Sequence, residues 1–125
     1  MFLGLRTAIY HVNDISDAKK WYTNVLNKEP YFDQPYYVGY NISGYELGLV
    51  PDKTEINSKI EGVVTYWGVK DAKESFQKLV DCGASIHEKL QNVGEGILVA
   101  AVKDPFGNVF GIIKNPHFSL KNNIN

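Results

Sequence analysis

Few side chains in this sequence could do chemistry. A histidine beside a glutamate can act as a general acid or base, because imidazole titrates near neutral pH and a carboxylate can orient it or raise its pKa. His11 and Glu46 are the pair of that kind. The plainer reading leaves His11 satisfying hydrogen bonds at a strand end and Glu46 facing solvent near a turn. It is the stronger of the two, so no residue is assigned a catalytic role. His87 lies in the edge-like run ASIHEKL and His117 in the polar tail, and both read as surface histidines. The single cysteine, Cys82, cannot form an internal disulfide, and its place in FQKLVDCGA suits a buried thiol. No GxGxxG after a strand, GxxxxGK[ST], CxxC or GxSxG occurs, which removes the usual signals for nucleotide, phosphate, thiol or serine chemistry. Five tyrosines fall between residues 31 and 45, with Phe32 among them. Tyrosine joins a large apolar face to a hydroxyl, which suits a wall for planar compounds, a dimer interface or a half-exposed strand alike.

The elements that must hold these residues are legible from periodicity. LRTAIYHV (5–12) reads as a strand, and NDISDAKKWYTNVLN switches to helical spacing with Ile15, Ala18, Trp21, Tyr22 and Val25/Leu26 on one face. Asn13, Asp14 or Ser16 can cap that helix. EPYFDQPYYVGYNISGYELGLVPD then breaks into three short antiparallel strands at its Pro, Asn and Gly residues, giving the order β-α-β-β-β. The second half repeats that order. GVVTYWGV is a strand, KDAKESFQKLVDCG a helix ending at glycine, and ASIHEKLQ, GILVAAVKD and NVFGIIK are three more strands. Val12 with DAKKWY corresponds to Val69 with DAKESF. One domain, 1–125, is expected, with module one at about 5–50, a linker at about 51–60, module two at about 61–114 and a polar tail at 115–125. A four-stranded sheet with one helix cannot cover both of its faces, so each module needs a second sheet.

The strand–VND–helix with WYTNVLN near the front and DPFGNVFGII near the end, set in this repeat, resembles the glyoxalase, bleomycin-resistance and extradiol-dioxygenase proteins, the vicinal oxygen chelate superfamily. The likeness covers about residues 5–114. It implies an α+β fold of two βαβββ modules, each a four-stranded half-barrel with one helix, pairing to enclose a cleft. In metal-dependent members, one residue from the first and one from the last strand of each module hold a divalent ion there. Those four positions fall here on Thr7, Glu46, Val64 and Gly111. One of the four can ligate, whereas Zn²⁺ or Mg²⁺ needs several nitrogen, sulfur or oxygen donors converging, so neither a metal nor another cofactor is expected. Strand alternation carries the same cleft face from Thr7 through Ile9 to His11, from Val64 through Tyr66 to Gly68, and from Glu46 to Gly48. Thr7, His11, Glu46 and Tyr66 are therefore the expected ligand-binding residues. Trp21 and Trp67 point away from that face and pack helix against sheet.

Thirteen basic and fourteen acidic residues leave a formal charge of −1 without a Lys/Arg-rich run, which argues against a nucleic-acid partner. No apolar stretch approaches the roughly 20 residues that span a bilayer, and the N-terminus lacks a signal pattern. A soluble, cytoplasmic protein is expected, acting as a homodimer on a small-molecule ligand. The expected function is metal-free sequestration of that ligand, as in bleomycin-resistance proteins. The alternative is a lyase, isomerase or dioxygenase-like enzyme with an atypical metal or acid–base site.

Overall fold

A computed structural model of the chain describes residues 3, 5–52 and 64–117. The order is β1 (Thr7–Val12), α1 (Ile15–Leu26), β2 (Phe32–Gln34), β3 (Tyr37–Ile42), β4 (Tyr45–Pro51), β5 (Tyr66–Gly68), α2 (Ala72–Asp81), β6 (Ser85–Asn92), β7 (Leu98–Lys103) and β8 (Val109–Lys114). These are two βαβββ modules, as the repeat requires. Each forms a mixed four-stranded sheet, in the orders β1-β4-β3-β2 and β5-β8-β7-β6, and neither sheet closes on itself. In each, the first strand runs parallel to the last, and the remaining pairs are antiparallel. The described residues form two compact units that follow the modules, except that Pro105–Asn108 belongs with the first. Most of the expected linker, residues 53–60, lies outside the described residues, as do 61–63 of module two and 118–125 of the tail.

The first unit buries one face of its sheet against α1. Ala8, Tyr10 and Val12 of β1, Val38 and Tyr40 of β3, and Leu47 and Leu49 of β4 meet Ala18 and Tyr22 of the helix. Burial alternates along β1 because successive strand side chains point to opposite faces. Of the three possible caps, Asp14 is the one used: its carboxylate accepts the Asp17 backbone N–H at 3.0 Å. Asn27 ends the helix in the left-handed conformation (φ 53°), which asparagine tolerates. Tyr40 is fully buried, and its hydroxyl meets Thr23 Oγ1 at 2.9 Å and donates to the Lys19 carbonyl at 3.0 Å, tying β3 to α1.

The second unit is built the same way. Ala72 and Leu79 of α2 are buried with Ala100, Val102, Phe110 and Ile112 of β7 and β8, and Trp67 stacks on Phe110 on that helix side (centroids 6.4 Å apart). Trp67, Trp21 and Cys82 are all half-buried; Trp67 packs through its contact with Phe110, Trp21 lies edge-on to Tyr22 of its own helix, and Cys82 is not the buried thiol the pattern suggests. Asp71 caps α2 through the Glu74 N–H at 3.0 Å, and Gly83 (φ +96°) turns the chain out of it. In the DPFGN turn, Gly107 takes φ +87°, the conformation the turn needs. β5 is shorter than the pattern GVVTYWGV suggests. Its pairing begins at Tyr66, so Val64 precedes the strand.

Candidate functional site

The free face of the first sheet carries Thr7, Ile9 and His11 from β1, Glu46 and Gly48 from β4, and Tyr37 and Gly39 from β3. The parallel register sets Thr7 directly beside Glu46, Ile9 beside Gly48 and His11 beside Val50. Glu46 is the centre of a hydrogen-bonded cluster. Thr7 Oγ1 donates to its Oε1 at 2.9 Å, the Tyr31 hydroxyl donates to its Oε2, and Tyr37 bonds to the same carboxylate. Thr7 and Glu46 are thus brought together as expected. Tyr31 and Tyr37 complete the cluster, and the sequence did not single them out from the five tyrosines of that region.

Two glycines make this cluster possible. Gly39 pairs with Gly48 across β3 and β4, leaving a trough two strands wide with no side chain in its floor. A Cβ on Gly39 would lie 2.8 Å from Glu46 Oε2 and 3.1 Å from the Tyr31 ring, and one on Gly48 would strike the Tyr37 hydroxyl. The tyrosines therefore lie down over glycine, and their hydroxyls reach the carboxylate from the side. Phe32, exposed beside Gly39, adds its ring 6.0 Å from Tyr37 and 6.2 Å from Tyr36. Tyr45 is half-exposed at the start of β4, and Tyr40 faces the core, so the five tyrosines divide between the two sides of the sheet.

His11 stands apart from this cluster. It lies four residues along β1 from Thr7, or about 13 Å at strand spacing. The carboxylate beside its Nδ1 is Asp52, at 3.2 Å, and its carbonyl accepts the Asn108 side-chain N–H at 2.9 Å. The geometry required for acid–base work by His11 on Glu46 is not built, because the imidazole's carboxylate neighbour is a different one. His87 is exposed, and the His117 ring meets the Glu95 carbonyl at 2.8 Å.

The second unit repeats the device with other residues. Tyr66 pairs with Gly111, Gly111 with Ala101, and Ala101 with Glu88, giving one row across all four strands on the free face. The Tyr66 ring lies over Gly111, where a Cβ would come within 2.6 Å of Cδ1, and its hydroxyl donates to Glu88 Oε1 at 3.2 Å. A tyrosine can span two intervening strands only if their side chains are a hydrogen and a methyl. The ring of Tyr66 occupies the space a side chain at Gly111 would fill. The neighbour of Gly111 is Tyr66, two residues beyond the Val64 that the resemblance implies, because the parallel pairing of β5 and β8 begins at Tyr66. Glu88 carried no signal in the sequence, since one glutamate in a polar edge strand looks like any other.

The electrostatics follow from these contacts. Burial pushes the Glu46 carboxyl up, but the hydroxyls of Tyr31, Tyr37 and Thr7 outweigh it and hold the group below its ordinary value. Tyr37 moves the other way, to about 12, through burial first and then the Glu46 carboxylate beside it. Burial ahead of Glu88 also raises Tyr66. Lowered in the folded state, Glu46 contributes stability that is fully present above its unfolded value and is lost as pH falls through the folded one. Tyr37, raised, contributes below pH 10 and loses this as pH climbs toward 12. Tyr31→Phe is accordingly expected to move the Glu46 midpoint upward, because it removes one charge-assisted hydrogen bond to the carboxylate. A carboxyl ¹³C titration reads it directly, and an unchanged midpoint would contradict the geometry.

The divalent ion that the resemblance implies does not fit these residues. Glu46 spends both oxygens on hydroxyl groups, Thr7 donates to it rather than facing an ion, and the place of a ligand at Gly111 is filled by an aromatic ring. Among the described residues, no group of three or more His, Cys, Asp and Glu side chains is placed to hold a metal. A depression of about 560 Å³ along the outer side of α2, lined by Asp71, Lys73, Glu74, Gln77, Lys78, Asp81 and Cys82, opens broadly to water and encloses nothing. The aromatic face around Glu46 is the better candidate.

Comparison with known proteins places this architecture. No curated protein matches the sequence. Among solved structures, the chain is similar to a glyoxalase-related enzyme from Fulvimarina pelagi (17% identity, TM-score 0.74, covering 92% of this chain and 90% of that one). It is also similar to a lactoylglutathione lyase from Agrobacterium tumefaciens (14% identity, TM-score 0.73, covering 95% and 98%). A glyoxalase/bleomycin resistance protein from Catenulispora acidiphila aligns at 20% identity and TM-score 0.68, covering 90% and 100%. At such identities these likenesses establish the fold alone. The family model for the Glyoxalase/Bleomycin resistance protein/Dioxygenase superfamily matches residues 4–112, nearly the whole chain, and the chain belongs to that superfamily.

Proposed function

We propose that this protein binds a small organic molecule without a metal ion and makes or breaks no bond in it, in the manner of the bleomycin-resistance branch of its superfamily. The observation that carries this reading is the state of Glu46. The one carboxylate at a family metal position is committed to Thr7, Tyr31 and Tyr37, within a face walled by aromatic rings. Thr7, Glu46 and the neighbouring tyrosines line the ligand face of the first unit, and Tyr66 that of the second. His11, at the far end of β1, borders the first of these faces. Among the described residues no helix is long and apolar enough to cross a membrane, in keeping with action in the cytoplasm. Each sheet ends on open edge strands, β1 and β2 in one and β5 and β6 in the other, which gives a physical motive for a homodimer.

Elemental analysis and thermal melting of the purified chain test this reading together. The expected result is metal well below one equivalent, a Tm indifferent to EDTA, and stabilisation by at least one compound of a small-molecule set that Glu46→Ala abolishes. Stoichiometric Zn, Ni, Mn or Fe, lost together with ligand binding in Glu46→Ala, would overturn it in favour of a lyase, isomerase or dioxygenase-like enzyme.

A further inference from the structure

The face around Glu46 has a chemistry of its own. Tyr31 and Tyr36 are 63% and 65% exposed, and Phe32 and Ile9 remain 36% and 41% exposed, so apolar surface gathers around the Glu46 carboxylate. Tyrosine hydroxyls fix the carboxylate in place and neutralise none of its charge. A carboxylate offers about four acceptor positions, and three hydroxyls leave one for an incoming donor. Aromatic rings attract cations to their faces, and an anion at the base of an aromatic wall reinforces that preference. An anionic ligand would meet repulsion from Glu46, and a neutral one would leave the remaining acceptor position without a charged partner. The cation of Lys19 does not compete for this position, since it pairs with Asp33.

From this arrangement we infer that the ligand is an organic cation with a flat apolar body, its ammonium or amidinium N–H set on Glu46 and its body against Tyr31, Phe32, Tyr36 and Tyr37. The carboxylate that relatives give to a divalent ion thus anchors a protonated nitrogen here. This inference rests on the small-molecule-binding reading and narrows it to a ligand class.

Three probes of one shape separate charge from shape: 1-naphthylmethylamine as the cation, 1-naphthalenemethanol as its neutral isostere, and 1-naphthoate as the anion. Each is titrated into the full-length chain at pH 7 and followed by ¹H–¹⁵N NMR. The amine is expected to shift resonances of residues 31–39 and 46–48 and to bind ~10-fold or more tighter than the alcohol, as a charge-assisted contact would. The naphthoate is expected not to saturate. Glu46→Gln should bring amine and alcohol within about twofold of each other, whereas Tyr36→Ala, which removes ring area and no charge, should weaken both alike. The wild-type probe series stands even if Glu46→Gln fails to fold. Equal binding of amine and alcohol, tighter binding of naphthoate, or no shift on this face with the amine would each overturn the cation assignment. Alcohol binding as tight as that of the amine, or saturable naphthoate binding, at residues 31–48 would do so while leaving the metal-free binding reading in place, since metal analysis and the chelator test decide that one separately.

Discussion

Gly111→Glu, which puts a carboxylate at one of the four positions where the resemblance implies metal ligands, is expected to destabilise the protein by about 3 kcal/mol or more and to create no metal site. Gly111 is buried, and a Cβ there would lie 2.7 Å from the Thr65 carbonyl oxygen and 2.6 Å from the Tyr66 ring. Overfilling a packed position costs roughly 1–3 kcal/mol, and a buried carboxylate without a partner adds a penalty of similar size. The ring can rotate away, but the carbonyl cannot, because it accepts the Gly111 N–H at 2.9 Å within the parallel pairing of β5 and β8. Gly111→Ala should therefore remain destabilising in a Tyr66→Ala background. Chemical denaturation of the single and double variants measures this. Full recovery in the double variant would show that the ring alone excludes a side chain at 111. Stoichiometric metal uptake by Gly111→Glu would refute the account of the site.

Tyr40→Ala is expected to cost about 3–5 kcal/mol, the range for truncating a large buried aromatic, and to lower Tm by roughly 10 °C or more. Tyr40 has no exposed surface, pairs with Leu47 of β4, and joins β3 to α1 through Thr23 and the Lys19 carbonyl. Tyr40→Phe keeps the ring and loses the contacts with Thr23 and the Lys19 carbonyl, so about 1 kcal/mol is expected. The contrast separates packing from hydrogen bonding at a single position. Neither variant should alter the Glu46 face, because Tyr40 points to the opposite side of the sheet from Gly39 and Gly48. Equal losses in the two variants would contradict the packing account, and thermal melting with NMR of the Glu46 face supplies both readouts.

The division among the tyrosines shows how far the sequence reaches. Tyr40 lies on the core side of β3 and Tyr37 on the free side, a division the sequence left open because alternation assigns sides only once a strand's bounds are fixed. Tyr31 and Tyr36 flank β2 rather than belonging to a strand, so alternation assigns them no side. Their roles follow from where the chain between α1 and β3 crosses the sheet, which brings Tyr31 over Gly39 and onto Glu46. The same distinction applies to His11. Its face was legible from Thr7 and Ile9, but its partner was not, because the choice between Glu46 and Asp52 depends on how far along β1 each carboxylate lies.

By itself the sequence determined the two βαβββ modules, their helices with candidate caps and the free face of β1, β4 and β5, because these depend on periodicities and turn residues within about a dozen positions, while its VND–WYTNVLN and DPFGNVFGII motifs carried the resemblance to the superfamily. Tertiary structure alone decided the hydrogen bonds of Glu46, the seating of Tyr66 over Gly111 and its tie to Glu88. Those rest on register between strands up to some forty-five residues apart, where shifting a pairing by two positions keeps every side chain on its face yet changes every neighbour. That two-residue step is why Tyr66, rather than Val64, lies beside the glycine of the last strand.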